Sequence, residues 1–251
     1  MNDGEPPIAA LPPEAAERAE EVIATDADGN VLNRSTFREG RLDGESVTYD
    51  PSGGVTRREV FSDGRLHGEA IVYGADERIS QKAQFKDGLL DGELLLYADD
   101  GTLAQRMEYF AGQLHGTATV YDGELQLLET EYENGSREGD FLAYHENGAL
   151  KLEVPFEGDL EHGESRLFDE SGQLLRKEAW QHGQLHGEAI DYAESGCVRE
   201  STSFKNGLVD GELLRYHPNG KLRERKVFKD GQPVGATERF DAAGRAVGRR
   251  R

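Results

Sequence analysis

The apolar positions of this chain show no helical face. Short segments such as "LAQRMEY" (Leu103–Tyr109) and "ELLLY" (Glu93–Tyr97) have the length and period-two patterning of strands, and glycines separate them. Each pair of segments reads as a hairpin. A first strand ends at an aromatic, a G-x-x-x-G stretch turns the chain, and a second strand ends at another aromatic. A turn such as "HENG" (His145–Gly148) or "HPNG" (His217–Gly220) leads into the next pair. No pair leaves room for a helical crossover, so the strands are predicted to run antiparallel.

The pattern repeats. The second glycine of the phrase stands at Gly44, Gly68, Gly92, Gly116, Gly139, Gly163, Gly187, Gly211 and Gly235, spaced by 24 residues apart from one step of 23. Four residues earlier stand Gly40, Gly64, Gly88, Gly112, Gly135, Asp159, Gly183, Gly207 and Gly231; Asp tolerates left-handed backbone better than most residues. One aromatic column runs Phe37, Phe61, Phe85, Tyr109, Tyr132, Phe156, Trp180, Phe204 and Phe228. A second runs Tyr49, Tyr73, Tyr97, Tyr121, Tyr144, Phe168, Tyr192, Tyr216 and Phe240. Only Phe110 and Phe141 lie outside these columns, so the aromatics are spread evenly and read as structural rather than as a ligand cage. The predicted fold is all-β: an elongated single-layer antiparallel meander of about nine hairpin repeats, with both aromatic columns stacking along one face. "PPEAAERAEEVIA" (Pro12–Ala24) has helix-forming composition and is expected to give a short helix serving as cap or lid. The domain reading is a polar tether with that helix over 1–25, the repeat array over 26–244 and a basic tail over 245–251.

The G-x-L-x-G-x-x-x-x-Y phrase followed by "NG-x-L" resembles the MORN repeat, specifically its bacterial variant, over about residues 26–244. That variant occurs in YwqK-type antitoxins and in immunity proteins encoded beside secreted toxins. The resemblance implies a MORN-type hairpin array. It also implies an antitoxin or immunity protein that neutralises a toxin, such as a secreted lipase, by stoichiometric occlusion. A scaffold or cell-envelope assembly module built on the same repeats is the alternative that the resemblance leaves open.

Composition agrees with a thin fold and narrows the partners. Hydrophobic content is 36%, below the ~45–50% of ordinary globular chains, and charged content is 31%. A net charge of −20 repels nucleic acid and anionic lipid, so a basic protein partner, such as a toxin or effector, is expected. Residues 220–251 depart from this balance, holding ten Lys and Arg against four Asp and Glu; the "GRRR" ending reads as a solvated tail or a contact point. Cys197 is the lone cysteine, and no apolar window reaches the ~20 residues of a membrane-spanning helix. As it stands the chain reads as cytoplasmic, and as periplasmic if Met1 replaces a removed signal or lipoprotein leader.

Three columns bear on function. The residue after the second glycine is acidic at seven of nine positions, including Glu69, Glu93, Glu188 and Glu212, and forms a stripe expected to steer a basic partner. The residue before that glycine reads Asp43, His67, Asp91, His115, Glu138, His162, His186, Asp210 and Val234. Neighbouring members sit ~10 Å apart, too far to share a metal ion, so no metal and no cofactor is expected. The histidines could make partner binding pH-sensitive. On the second strands, Val72, Leu94, Leu96, Val120 and Phe141 make the face opposite Tyr73, Tyr97, Tyr121 and Tyr144 apolar over repeats two to five. That patch is expected to meet a partner or the N-terminal lid. Ser80 and Cys197 stand in ordinary turn-to-strand positions, and no phosphate loop, nucleophile elbow, HExxH or CxxC occurs; an enzyme is not expected.

Overall fold

The computed structural model describes residues 18–74 and 76–247. Among these residues it is all-β, with twenty strands and no helix. In chain order the first ten are β1 (Glu20–Thr25), β2 (Val31–Arg38), β3 (Arg41–Tyr49), β4 (Val55–Ser62), β5 (Arg65–Tyr73), β6 (Ile79–Lys86), β7 (Leu89–Tyr97), β8 (Leu103–Phe110), β9 (Gln113–Asp122) and β10 (Leu125–Glu133). The rest are β11 (Ser136–Tyr144), β12 (Leu150–Glu157), β13 (Leu160–Glu161), β14 (Gly163–Phe168), β15 (Leu174–Gln181), β16 (Gln184–Tyr192), β17 (Val198–Lys205), β18 (Leu208–Tyr216), β19 (Leu222–Lys229) and β20 (Gln232–Arg239). Two compact units divide the chain: Met1–Ala104 with Glu108–Gln113, and Gln105–Met107 with Leu114–Arg251. In the first, β1 to β7 pair consecutively and antiparallel. In the second, β9 to β20 do the same, with β12 pairing to both the two-residue β13 and to β14. Each unit is a single-layer meander of hairpins, as predicted.

The glycine phrase works differently from the expected five-residue turn. In the β17–β18 hairpin only Asn206 (φ 50) and Gly207 (φ 79) form the turn, both left-handed, which is the I′ geometry that matches strand twist. Gly211 lies inside β18, opposite Phe228, with φ 120. The register shifts between Thr202 and Phe204 on the facing strand, so this second glycine is a bulge. Asp159, the one departure from the first glycine column, takes φ 66 and fits its left-handed site.

Register also corrects the face assignment. Phe61 pairs with Leu66 and shares its strand face with Glu59, which pairs with Ala70. The first aromatic column therefore lies on the face of Ala70, Leu94 and Ser165. Trp180 Nε1 donates to Ser165 Oγ at 2.9 Å, which places both on that face. By strand alternation the second aromatic column lies on the other side, so the two columns sit on opposite faces rather than stacking along one. They are called here the Phe face and the Tyr face. Sequence alone carries the parity of each strand but not the register across a bulged hairpin.

The buried residues suit a thin sheet. Small buried residues stand on the Phe face of each unit, next to the first aromatic column: Ser35, Ser46, Ala70 and Ala83 in the first, and Ser165, Ala189 and Thr202 in the second, where Phe156 is buried too. Val47 and Thr119 are their counterparts on the Tyr face. The N-terminal expectation is corrected in part: Glu20–Ala24, the end of the predicted helix, is extended in β1 and pairs with β2. β-Branched Val22 and Ile23 and a waiting sheet edge outweigh a weak helix propensity. The remainder of that predicted helix falls on residues outside the described ones apart from Arg18 and Ala19, which are not helical.

Candidate partner-binding surface

The acid and imidazole column has a structural task. Seven of its members bond to the turn of the following hairpin. Asp43 Oδ2 accepts from the Asp63 backbone N–H at 3.3 Å, Asp91 Oδ2 from Ala111 at 3.2 Å and Asp210 Oδ2 from Asp230 at 3.0 Å. Glu138 accepts from Gly158 at 2.9 Å, and His115 Nδ1 from Asn134 at 3.4 Å. His67 and His186 instead meet the turn side chains Asp87 and Asn206 at 3.3 and 3.2 Å. In parallel, the turn glycine donates its N–H to a carbonyl of the previous hairpin: Gly64 to Leu42 at 2.7 Å, Gly88 to Leu66 at 2.8 Å, Gly207 to Leu185 at 2.9 Å. Among the described residues no group of three or more His, Cys, Asp or Glu is placed to hold a metal ion.

The acid stripe lies on the Tyr face, where it meets cations from the next strand. Arg58 pairs with Glu45 at 3.2 Å, Lys82 with Glu69 at 2.5 Å, Lys177 with Glu164 at 3.1 Å, and Arg225 with Glu212. These bases form a column of their own, Arg34, Arg58, Lys82, Arg106, Lys177 and Arg225, interrupted at Glu129, Glu153 and Ser201. Glu69 and Glu212 are thus partly neutralised within the molecule, and Glu188 feels the charge of Lys177. The unmatched acid sits elsewhere: residues 122–170 hold fifteen Asp and Glu against three Lys and Arg.

Hydrogen bonds from Lys177 and then Arg166 hold the Glu164 carboxyl below its usual range. A carboxyl depressed in the folded state stabilises above its unfolded value and loses that contribution as pH falls through its folded one. Because Glu164 is 39% exposed, solvent screening limits the pair to about 0.5–1 kcal/mol. Glu164→Gln is therefore expected to lower stability by that amount at pH 7 and by nothing resolvable at pH 3. Urea unfolding at the two pH values checks it, and an equal loss at both would remove the ion pair as its cause.

On the Phe face the apolar residues separate into two settings. In the first unit Val72 pairs with Arg57 and Gln81, and Gln81 pairs with Leu96, so polar side chains interrupt the row. Leu94 pairs with buried Ala83. In the second unit the same row is continuous: Val120 pairs with Leu128, Leu128 with Ala143, Ala143 with Leu152, and Leu152 with Leu167. Beside it, Ala118, Thr130, Phe141 and Val154 form a second row in register. Leu128 is 36% exposed, and the other members of the first row are half-buried. The row ends where Leu167 meets Arg176. Beyond that point it turns ionic: Arg176–Asp191 at 3.3 Å, Arg215–Glu200 at 2.6 Å, Arg215–Glu224 at 3.3 Å and Arg239–Glu224 at 3.2 Å.

The structure therefore brings Val120 and Phe141 together, while Val72, Leu94 and Leu96 lie in the interrupted setting. Leu128, Leu152 and Val154 belong to first strands, so the pattern along the second strands does not show them. The missing signal was the residue opposite each second-strand position, which register supplies.

Three segments, residues 137–157, 161–182 and 209–230, match the family described as MORN repeat variant. Each match runs from the second strand of one hairpin into the first strand of the next. No curated protein matches the chain. Solved structures that resemble it weakly include the following two. "Crystal Structure of TcdB2-TccC3" is 12% identical with a TM-score of 0.17. "Crystal Structure of TcdB2-TccC3-Cdc42" is 12% identical with a TM-score of 0.15. Both alignments cover 90% of this chain but 17% of the other, so the chain spans under a fifth of those chains. The protein is a β-hairpin repeat protein, three segments of which match the MORN repeat variant.

Proposed function

We propose that this chain is a non-catalytic, protein-binding repeat protein that acts as an antitoxin or immunity protein, neutralising a bacterial toxin by one-to-one occlusion. The observation that carries the binding role is the continuous apolar row Val120–Leu128–Ala143–Leu152–Leu167 on a sheet with no second layer over it among the described residues. Such a row offers buried anchors to a partner. The finer assignment is supported by the resemblance to the bacterial MORN variant, and the charge of −20 suits a basic target.

The test is co-expression of the tagged chain with the product of the neighbouring gene, followed by native mass spectrometry and growth assays. An equimolar complex together with restored growth is the expected result. No complex, or no protection, sinks the antitoxin reading. Several partners at sub-stoichiometric amounts would instead favour a scaffold.

A further inference from the structure

We infer that the apolar row of β9 to β14 docks an amphipathic helix of a basic partner protein, with the helix axis running across the strands. This rests on the protein-binding reading but is narrower: it names the occupant and its placement. The row crosses five strands (β9, β10, β11, β12 and β14), a span of ~19 Å at ~4.8 Å between strands. A helix of about 13 residues has that length at 1.5 Å per residue. Its apolar side chains recur every ~5.4 Å turn, close to the strand spacing, so successive turns can each meet one side chain of the row. An extended segment laid across the row would present same-face residues every ~6.8 Å and fall out of step.

The rim sets the sign of the partner. Asp122, Glu124, Glu146 and Glu170 are exposed along one turn edge of these strands, and Glu133, Glu157 and Asp159 along the other. Cations are scarce there. Arg137 lies over the Phe156 ring, 4.0 Å from its centroid, and also binds Asp159. Arg166 is exposed on the opposite face and pairs with Glu153 and Glu164, which leaves Lys151 as the exposed base without an ion pair among the described residues. An apolar strip between two acidic edges suits an apolar helix face flanked by Lys and Arg. It disfavours a second copy of this chain, whose acidic edges would meet these.

The probe is a fluorescein-labelled synthetic helix of about 14 residues, with Leu along one face and Lys on the other, titrated by anisotropy near physiological salt. Its counterpart carries Glu in place of Lys. Leu128→Asp combined with Leu152→Asp adds two negative charges to the row, so adhesion by charge alone would tighten. Docking on the row instead weakens, by an expected tenfold or more. The charge-matched control, Leu89→Asp with Leu208→Asp, changes two leucines that are 52% and 51% exposed outside the row, and should bind as the parent does. Trp180 emission reports whether each variant is folded; if the Asp pair unfolds, Leu128→Ser with Leu152→Ser repeats the test.

The inference is overturned if the row variant binds as tightly as the control, or if the Glu peptide binds equally well. It is also overturned if the parent is a dimer that the row variant converts to monomer. A neighbouring-gene complex that survives the row substitutions removes the row as docking site and leaves protein binding standing. Peptide docking on the row with no such complex does the reverse for the antitoxin reading.

Discussion

Gly211→Ala is expected to cost about 3–5 kcal/mol, a large share of a typical stability of ~5–15 kcal/mol. Two effects add. At φ 120 the backbone is in a region that side chains rarely adopt, and a Cβ there would lie 2.8 Å from the Cβ of Ser203 on the facing strand. Both atoms are fixed to backbone, so no side-chain rotation relieves the contact. Gly207→Ala is the internal comparison: its φ of 79 is also unfavourable, but nothing lies within 4 Å of the added carbon. That change should cost about 1–2 kcal/mol. Urea unfolding of the two variants measures the difference, and equal losses would refute the bulge as the reason for the second glycine column.

Trp180→Ala should cost about 2–4 kcal/mol. The indole, the chain's single tryptophan, sits on the Phe face and donates to Ser165, whose residue is 5% exposed. Removing it takes away apolar contact and leaves the Ser165 hydroxyl without its indole donor. Trp180→Phe keeps most of the ring and should lose about 1 kcal/mol. Adding Ser165→Ala should then recover part of that loss, because the orphaned hydroxyl goes as well. Circular dichroism of the single and double variants gives the coupling. Independent, additive effects would show that the hydrogen bond contributes nothing.

Much of the architecture was legible because repetition amplifies weak local signals. One Asn-Gly pair is only a turn candidate, but a turn glycine, a second glycine and two aromatics recurring together every hairpin leave little freedom. Three things were not legible, each for the same reason. Whether Phe61 and Tyr73 share a face, whether Gly68 turns the chain or bulges it, and whether Leu128 continues a row begun at Val120 all depend on which residue stands opposite which. A bulge hides that. The Asp and His column illustrates the converse: its regular spacing is plain, but most of its partners are backbone groups, which have no letters in a sequence. The acid stripe is plain in the sequence as a column, but the bases that partly neutralise it belong to another strand.

The turn staples give each unit a direction in time. Gly64 donates back to Leu42, and Gly88 back to Leu66, so every hairpin leans on the one made before it. A ribosome adding ~5–20 residues per second needs over a second for one repeat, whereas a hairpin closes in ~1–10 μs. Each new hairpin can therefore settle on a finished edge before its successor exists. Growth within a unit then resembles crystal accretion: the last-laid strand is always the template for the next, and little of the chain need wait unpaired.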